Sequence, residues 1–188
     1  TPALSSAASD VYKRQVKKAW NLRSKAPAPP HLMVHGGAGA GKTTVIRIIC
    51  DWVELILRKE GDETGMPFII RCAPTGAAAS LIEGMTLHRA FNLDFKGKFF
   101  SLPDKLRDQR RAELRKLKFV LVDEVSMMKN EQLYQIDQSL QEIMERPGVP
   151  FGGVCIMCFG DMMQLKPVLG NYVFTRPKTE GYGVVFDL

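Results

Sequence analysis

Four short, continuous apolar runs recur along the chain, and each stops at a polar or glycine-rich segment. Leu32-Met33-Val34 leads into a glycine loop and Phe68-Ile69-Ile70 into Ala73-Pro74-Thr75-Gly76. Phe119-Val120-Leu121-Val122 leads into Asp123-Glu124, and Val154 to Phe159 into Gly160-Asp161. Runs this short and unbroken predict strands buried on both faces. Between them the spacing becomes helical. Thr44 to Lys59 sets Val45, Ile48, Ile49, Trp52, Val53, Leu55 and Ile56 at helical intervals. Leu102 to Lys118 aligns Leu102, Leu106, Leu114 and Leu117 along one side. Asn130 to Arg146 aligns Leu133, Ile136, Leu140, Ile143 and Met144, and Pro147-Gly148 ends it. Strands alternating with helices predict an α/β fold, a parallel sheet with helices on both faces. Ligands of such sheets bind at the carboxyl ends of the strands, where all four polar motifs fall.

Composition narrows this picture. The 188 residues suffice for one domain with a sizeable core. Lys25-Ala26-Pro27-Ala28-Pro29-Pro30 reads as a linker, which divides the chain into a segment over 1–30 and a domain over 31–188. Ser5 to Gln15 resembles translated sequencing-adapter read-through, which would be no part of the natural protein. The final run, Val184-Val185-Phe186-Asp187-Leu188, is apolar and is expected to continue into further chain. No apolar run approaches the roughly 18 residues of a membrane helix, and no secretory leader opens the chain.

The net charge of +6 is unevenly spread. Residues 89–118 hold ten Lys/Arg against four acids, and residues 119–188 hold five against nine. A basic stretch of this kind suits a polyanion-binding face, and equally a solvated helix. Cys155 and Cys158 form a C-x-x-C, but no second Cys/His pair follows at zinc spacing. Period-2 alternation sends the two thiols to opposite faces of a strand, so they read as core cysteines of an intracellular protein.

The chemistry begins at Gly36-Gly37-Ala38-Gly39-Ala40-Gly41-Lys42-Thr43, with Thr44 after it. A G-x-x-x-x-G-K-T loop between an apolar strand and an amphipathic helix is a phosphate cradle. Its backbone N–H groups and the helix start face an anion. Lys42 is expected to reach the β- and γ-phosphates of ATP, and the Thr43 hydroxyl to ligate Mg²⁺. Asp123-Glu124, closing an apolar strand, suits a Walker B pair. Asp123 would hold the Mg²⁺ and Glu124 would orient or deprotonate the attacking water. A helix N-cap is the plainer alternative. Gln164 can donate to a γ-phosphate oxygen and accept from water, or it can be an ordinary loop amide.

Four further segments carry a resemblance. Ala73-Pro74-Thr75-Gly76-Ala77-Ala78-Ala79, Gly84-Met85-Thr86-Leu87-His88-Arg89-Ala90-Phe91, Asp123-Glu124-Val125-Ser126-Met127 and Gly160-Asp161-Met162-Met163-Gln164-Leu165-Lys166-Pro167-Val168 resemble motifs Ia, Ic, II and III of the PIF-type DNA helicases. These are superfamily 1, class B motors related to RecD and to Helitron helicases. The resemblance runs from about Val34 to Phe174.

It implies a P-loop NTPase of the RecA-like kind, domain 1A of a motor that moves 5′→3′ on single-stranded DNA and unwinds duplexes with ATP. It assigns Lys42, Asp123, Glu124 and Gln164 to catalysis and places Thr75, Gly76 and His88 along the DNA path, although His88 also suits a packed core. For a eukaryotic source it implies the nucleus or mitochondrion, and roles in DNA repair, recombination and telomere maintenance.

Lys166 departs from the proline frequent in motif III, and the adenine-reading glutamine would be Gln15, inside the adapter-like segment. Nothing resembles motifs IV to VI, so a second RecA-like domain is expected beyond Leu188, and the fragment alone is expected to turn ATP over slowly. A transposon-derived or truncated ATP-binding module without motor activity, a small kinase and an RNA helicase are the competing readings.

Overall fold

The structure is a computed structural model that describes residues 31–62, 65–164, 167, 170–173 and 175. The linker, Gln15 and the adapter-like segment lie outside the described residues, as do Leu165, Lys166, Val168 and the apolar run at 184–188.

Five parallel strands form one sheet: β1 (Leu32–His35), β2 (Ile69–Ala73), β3 (Met85–Thr86), β4 (Phe119–Val122) and β5 (Cys155–Gly160), in the order β1-β5-β4-β2-β3. Leu32 registers with Met157, Phe119 with Cys155 and Ile69 with Phe119. The helices are α1 (Lys42–Leu57), α2 (Gly76–Leu81), α3 (Leu87–Phe91), α4 (Asp104–Leu114) and α5 (Asn130–Ile143). This is the parallel α/β sheet that the alternation predicts, in the P-loop NTPase form that the resemblance implies.

Period-2 alternation sorts the strand side chains onto two faces. Ile70, Cys72, Val120, Val122 and Ile156 join one core with Leu87, Leu114, Ile136 and Leu140 from α3, α4 and α5. The alternate positions, including Phe119, Leu121 and Phe159, are also buried, and α1 adds Ile46, Ile49, Cys50 and Val53 outside that first core. Each buried aliphatic side chain contributes roughly 1.5–3 kcal/mol.

Cys158 falls with the first face and Cys155 with the second. Neither is joined in a disulfide. Burial, then the neighbouring Cys155, pushes Cys158 up to about 12. They are packing residues, and among the described residues no group of three or more His, Cys, Asp or Glu stands ready to hold a metal.

Three expectations change. First, β1 is not buried on both faces: Leu32 is 51% exposed and Met33 46%. β1 is the edge strand of the described sheet, with a neighbour, β5, on one side only. Second, α1 starts at Lys42 rather than Thr44, because the end of the glycine loop already winds into the helix. Third, α2, β3 and α3 fill the stretch between β2 and α4, for which the apolar pattern predicts no element. They are too short for a periodic signal, and threonines start the two helices. Thr75 Oγ1 accepts from the Ala78 N–H at 3.2 Å, and Thr86 Oγ1 from the Arg89 N–H at 3.3 Å.

Candidate nucleotide and nucleic-acid site

The loop over 36–43 joins β1 to α1 at the carboxyl edge of the sheet. The Gly36 N–H donates to the Gly160 carbonyl at 3.1 Å, which ties the loop to the end of β5. Gly39 and Gly41 take φ of 74° and 83°, a left-handed conformation costly for any residue with a Cβ. Gly41 then serves as the N-cap of α1, with its carbonyl accepting from the Val45 N–H at 3.1 Å. The loop thus curls over the start of the helix and leaves Thr43 and Thr44 in its first turn. Lys42 Nζ donates to the Gly36 carbonyl at 2.7 Å and the Gly37 carbonyl at 3.0 Å.

Asp123 follows β4 and is 5% exposed. Its N–H donates to the Cys72 carbonyl at 2.9 Å, and its Oδ1 accepts from the Glu124 N–H at 2.9 Å. Burial pushes the carboxyl up, opposed by the Glu124 hydrogen bond and the positive charge of Lys42. That electrostatic link brings the first two sequence motifs together. Glu124 sits at φ 51°, an uncommon conformation for a residue with a Cβ, and leads into a 3₁₀ turn over Val125–Met127.

The segment after β5 turns back on itself. The Gln164 N–H donates to the Asp161 carbonyl at 3.0 Å, and the Met163 N–H to Asp161 Oδ1 at 3.0 Å. Gln164 is exposed on this turn. Asp161 has no assigned role in the sequence reading, yet it is buried, and its Oδ1 lies 3.8 Å from His35 Nε2. A Cβ added to Gly37 would come within 3.9 Å of Asp161 Oδ2. The signal was available: like Asp123, Asp161 directly follows a buried strand.

Beside this cleft, beyond the end of β2, lies a groove of about 450 Å³. Pro74, Thr75, His88, Phe95, Lys96 and Lys129 are among its lining residues. His88 therefore faces a groove instead of the core. Burial, then the Lys129 charge, lowers its pKa. Thr75 spends one lone pair of its hydroxyl on capping α2. Gly76, next to it, is exposed, and a Cβ there would meet nothing within 4 Å.

The basic stretch 89–118 divides in two. On and just beyond α4, Arg107 pairs with Asp104 at 2.5 Å, Arg111 with Glu145 at 3.1 Å and Lys116 with Asp62 at 2.6 Å. That portion is a solvated, ion-paired face. Lys96 instead lines the groove.

Comparison with known proteins places the chain in a family. The model of the family described as PIF1-like helicase matches residues 4–176. The ATP-dependent DNA helicase PIF1 of Trypanosoma brucei brucei is 35% identical over 136 residues, 72% of this chain and 13% of that protein. The ATP-dependent DNA helicase Pif1 of Bdellovibrio bacteriovorus is 33% identical over 141 residues, 73% of this chain and 29% of that protein. A crystal structure of Bacteroides Pif1 in complex with ADP-AlF3 and ssDNA superposes with a TM-score of 0.59 and 32% identity, covering 82% of this chain and 33% of that one. The chain thus spans about a third or less of the proteins it matches. From its glycine loop to its last described strand and the turn beyond, this chain belongs to the PIF1-like helicase family.

Proposed function

We propose that residues 31–188 form the first RecA-like domain of an ATP-dependent 5′→3′ DNA helicase, which couples ATP hydrolysis to movement along single-stranded DNA and duplex unwinding. The observation that carries the proposal is the placement of two sites along one carboxyl edge. β1, β4 and β5 end in the glycine loop, Asp123 and the Asp161 turn, while β2 ends at the groove lined by Thr75 and His88. Asp123 bridges them, because its N–H is bonded to the Cys72 carbonyl of β2 and its carboxyl feels Lys42. The nucleotide cleft and the groove thus lie at neighbouring strand ends, with Asp123 between them.

In this reading Gly36 to Thr44 cradle the triphosphate with backbone N–H groups, and Lys42 leaves the Gly36 and Gly37 carbonyls to meet the β- and γ-phosphates. Mg²⁺ prefers hard oxygen donors, and the residues present fit it: the buried Asp123 carboxylate beside a cationic Lys42, and the Thr43 hydroxyl in the first turn of α1. When bound, the ion supplies charge neutralisation on the phosphate oxygens. Glu124 orients or deprotonates the attacking water, and Gln164 senses the γ-phosphate from the exposed turn after β5. Thr75, Gly76 and His88 line the path of the DNA, contacting backbone without reading sequence.

A second RecA-like domain, from chain beyond Leu188, completes the cleft. The parent enzyme acts in DNA repair, recombination or telomere maintenance, in the nucleus or mitochondrion of a eukaryotic source. No described helix is long and apolar enough to cross a membrane.

The test is steady-state ATPase of the full-length chain with and without single-stranded DNA. Stimulation by DNA, abolished in Lys42→Ala, is expected. Equal hydrolysis with and without DNA leaves a nucleotide-binding module and removes the motor.

A further inference from the structure

Phe95 is 86% exposed, although it is a large aromatic side chain. Its ring lies against the imidazole of His88, with centroids 4.5 Å apart and planes inclined by 16°. His88 thus backs the phenyl ring, which otherwise stays open to solvent at the groove that both residues line. An exposed aromatic on a loose loop would carry little meaning, but this loop is fixed. The Asp94 N–H donates to Gln135 Oε1 at 2.7 Å, and Gln135 Nε2 donates back to the Asp94 carbonyl at 3.2 Å. Gln135 itself is 2% exposed, on α5. Asp94 Oδ2 accepts from the Lys96 N–H at 2.9 Å and the Lys98 N–H at 3.4 Å. The turn that carries Phe95 is pinned from both sides, so the ring is presented and not merely left outside.

We propose that Phe95, backed by His88, is a stacking platform for a nucleobase of single-stranded DNA lying in the groove. The proposal rests on the helicase reading above and adds to it a residue and a mode of contact. Three observations select a base over other occupants. Phe95 and His88 offer a flat, pre-stacked π surface, and base–aromatic stacking tolerates any sequence because every base has a π face. Lys96 and Lys129 border the same groove and suit the flanking phosphates. Glu131 also lines it, with Oε2 buried and without a hydrogen-bond partner. A carboxylate there repels a phosphate but accepts from a base, through a ring N–H such as that of thymine or an exocyclic amino group, so this part of the groove suits a base edge. Burial and the Lys129 charge lower the His88 pKa, which favours the neutral imidazole as a π support behind the ring.

The experiment measures binding of the full-length chain to two labelled strands of equal length and charge, one of oligo(dT) and one abasic. The wild type is expected to bind oligo(dT) more tightly than the abasic strand. Phe95→Ala is expected to weaken oligo(dT) by about 5- to 150-fold, the span of stacking energies per base, and to leave the abasic strand unchanged. Phe95→Tyr should stay near wild type, while Phe95→Leu, apolar but not flat, should behave as Phe95→Ala.

Binding of a fluorescent ATP analogue reports that each variant is folded. Should Phe95→Ala lose it, Phe95→Leu and the quenching of a 2-aminopurine strand by wild type decide in its place. Unchanged oligo(dT) affinity in the folded variants, or equal losses on both strands, overturns the platform. A wild type that binds both strands equally overturns the platform and spares the helicase reading; one that binds neither removes both.

Discussion

Lys42 Nζ donates to the carbonyl oxygen of Gly36 at 2.7 Å. The ammonium rests on the very loop whose N–H groups it complements when a phosphate arrives. Its partners are carbonyls that water can also satisfy, because this loop lies at the surface. Lys42→Ala is therefore expected to leave thermal stability within about 0.5 kcal/mol of wild type, as surface substitutions do. The same change is expected to lower DNA-stimulated ATPase by about 10²–10³-fold, the usual loss when one transition-state donor is removed. Paired melting and turnover measurements on the full-length chain check it. A stability loss equal to the activity loss would make Lys42 a structural residue.

Two glycines separate ligand approach from internal packing. At Gly84 an added Cβ would lie 2.5 Å from the Arg71 carbonyl oxygen, where β3 leaves the end of α2. Gly84→Ala is expected to destabilise by about 1–3 kcal/mol through overpacking, read as a shift in the urea midpoint. At Gly76 a Cβ meets nothing, and the residue starts a helix, so Gly76→Ala should be neutral or slightly stabilising. If the DNA backbone passes close to Gly76, that same fold-neutral change weakens single-stranded DNA binding. A Gly76→Ala variant with wild-type DNA affinity would remove Gly76 from the path.

What the sequence makes legible follows from period and context. Phe119–Val122 reads as a strand because it sits in the middle of the sheet, buried on both sides, and nothing polar interrupts it. The glycine loop is legible because backbone, not side chains, shapes it. β1 is apolar enough to be found, but its exposure at an edge is a property of neighbours and not of its own residues. Phe95 and Gln135 were out of reach for a similar reason. Forty positions separate them, and only the fold brings the Gln135 amide against the Asp94 backbone. Charge gave a mixed signal, since Arg107 and Arg111 meet acids on their own helix and on or beside α5, which a count cannot anticipate.

Asp137 controls the corner between α5 and β5. It is 1% exposed, and its Oδ1 accepts from the Phe151 N–H at 2.6 Å while its Oδ2 accepts from Gln141 Nε2 at 2.7 Å. Phe151 is held at φ 49°, a conformation that persists only under such constraint. Asp137→Ala leaves the buried Phe151 N–H without its acceptor and is expected to cost about 1–3 kcal/mol. Because β5 carries the Asp161 turn on its far end, nucleotide affinity should fall only in proportion to the unfolded fraction. Denaturation curves and nucleotide titration, run on one preparation, check both halves of this prediction.

The last prediction concerns acid. His31 Nδ1 accepts from the Ile156 N–H at 3.2 Å, and its ring meets the edge of Phe151 at 4.9 Å. An acceptor nitrogen carries no proton, and burial lowers the pKa from the ordinary 6.5, with Asp137 pulling weakly the other way. Below that ordinary value the unfolded chain takes up a proton that folded His31 refuses. The unfolded state then binds more protons, so stability rises with pH and falls as the solution is acidified. His88, also lowered, adds to the same trend, while Asp123, raised by burial, acts against it nearer the carboxylate range. Urea midpoints at pH 7.5, 6.5 and 5.5 should decline in that order for the wild type. His31→Asn keeps an acceptor for the Ile156 N–H but does not titrate, so its decline should be shallower. A decline as steep in His31→Asn as in wild type would place the acid sensitivity elsewhere in the chain.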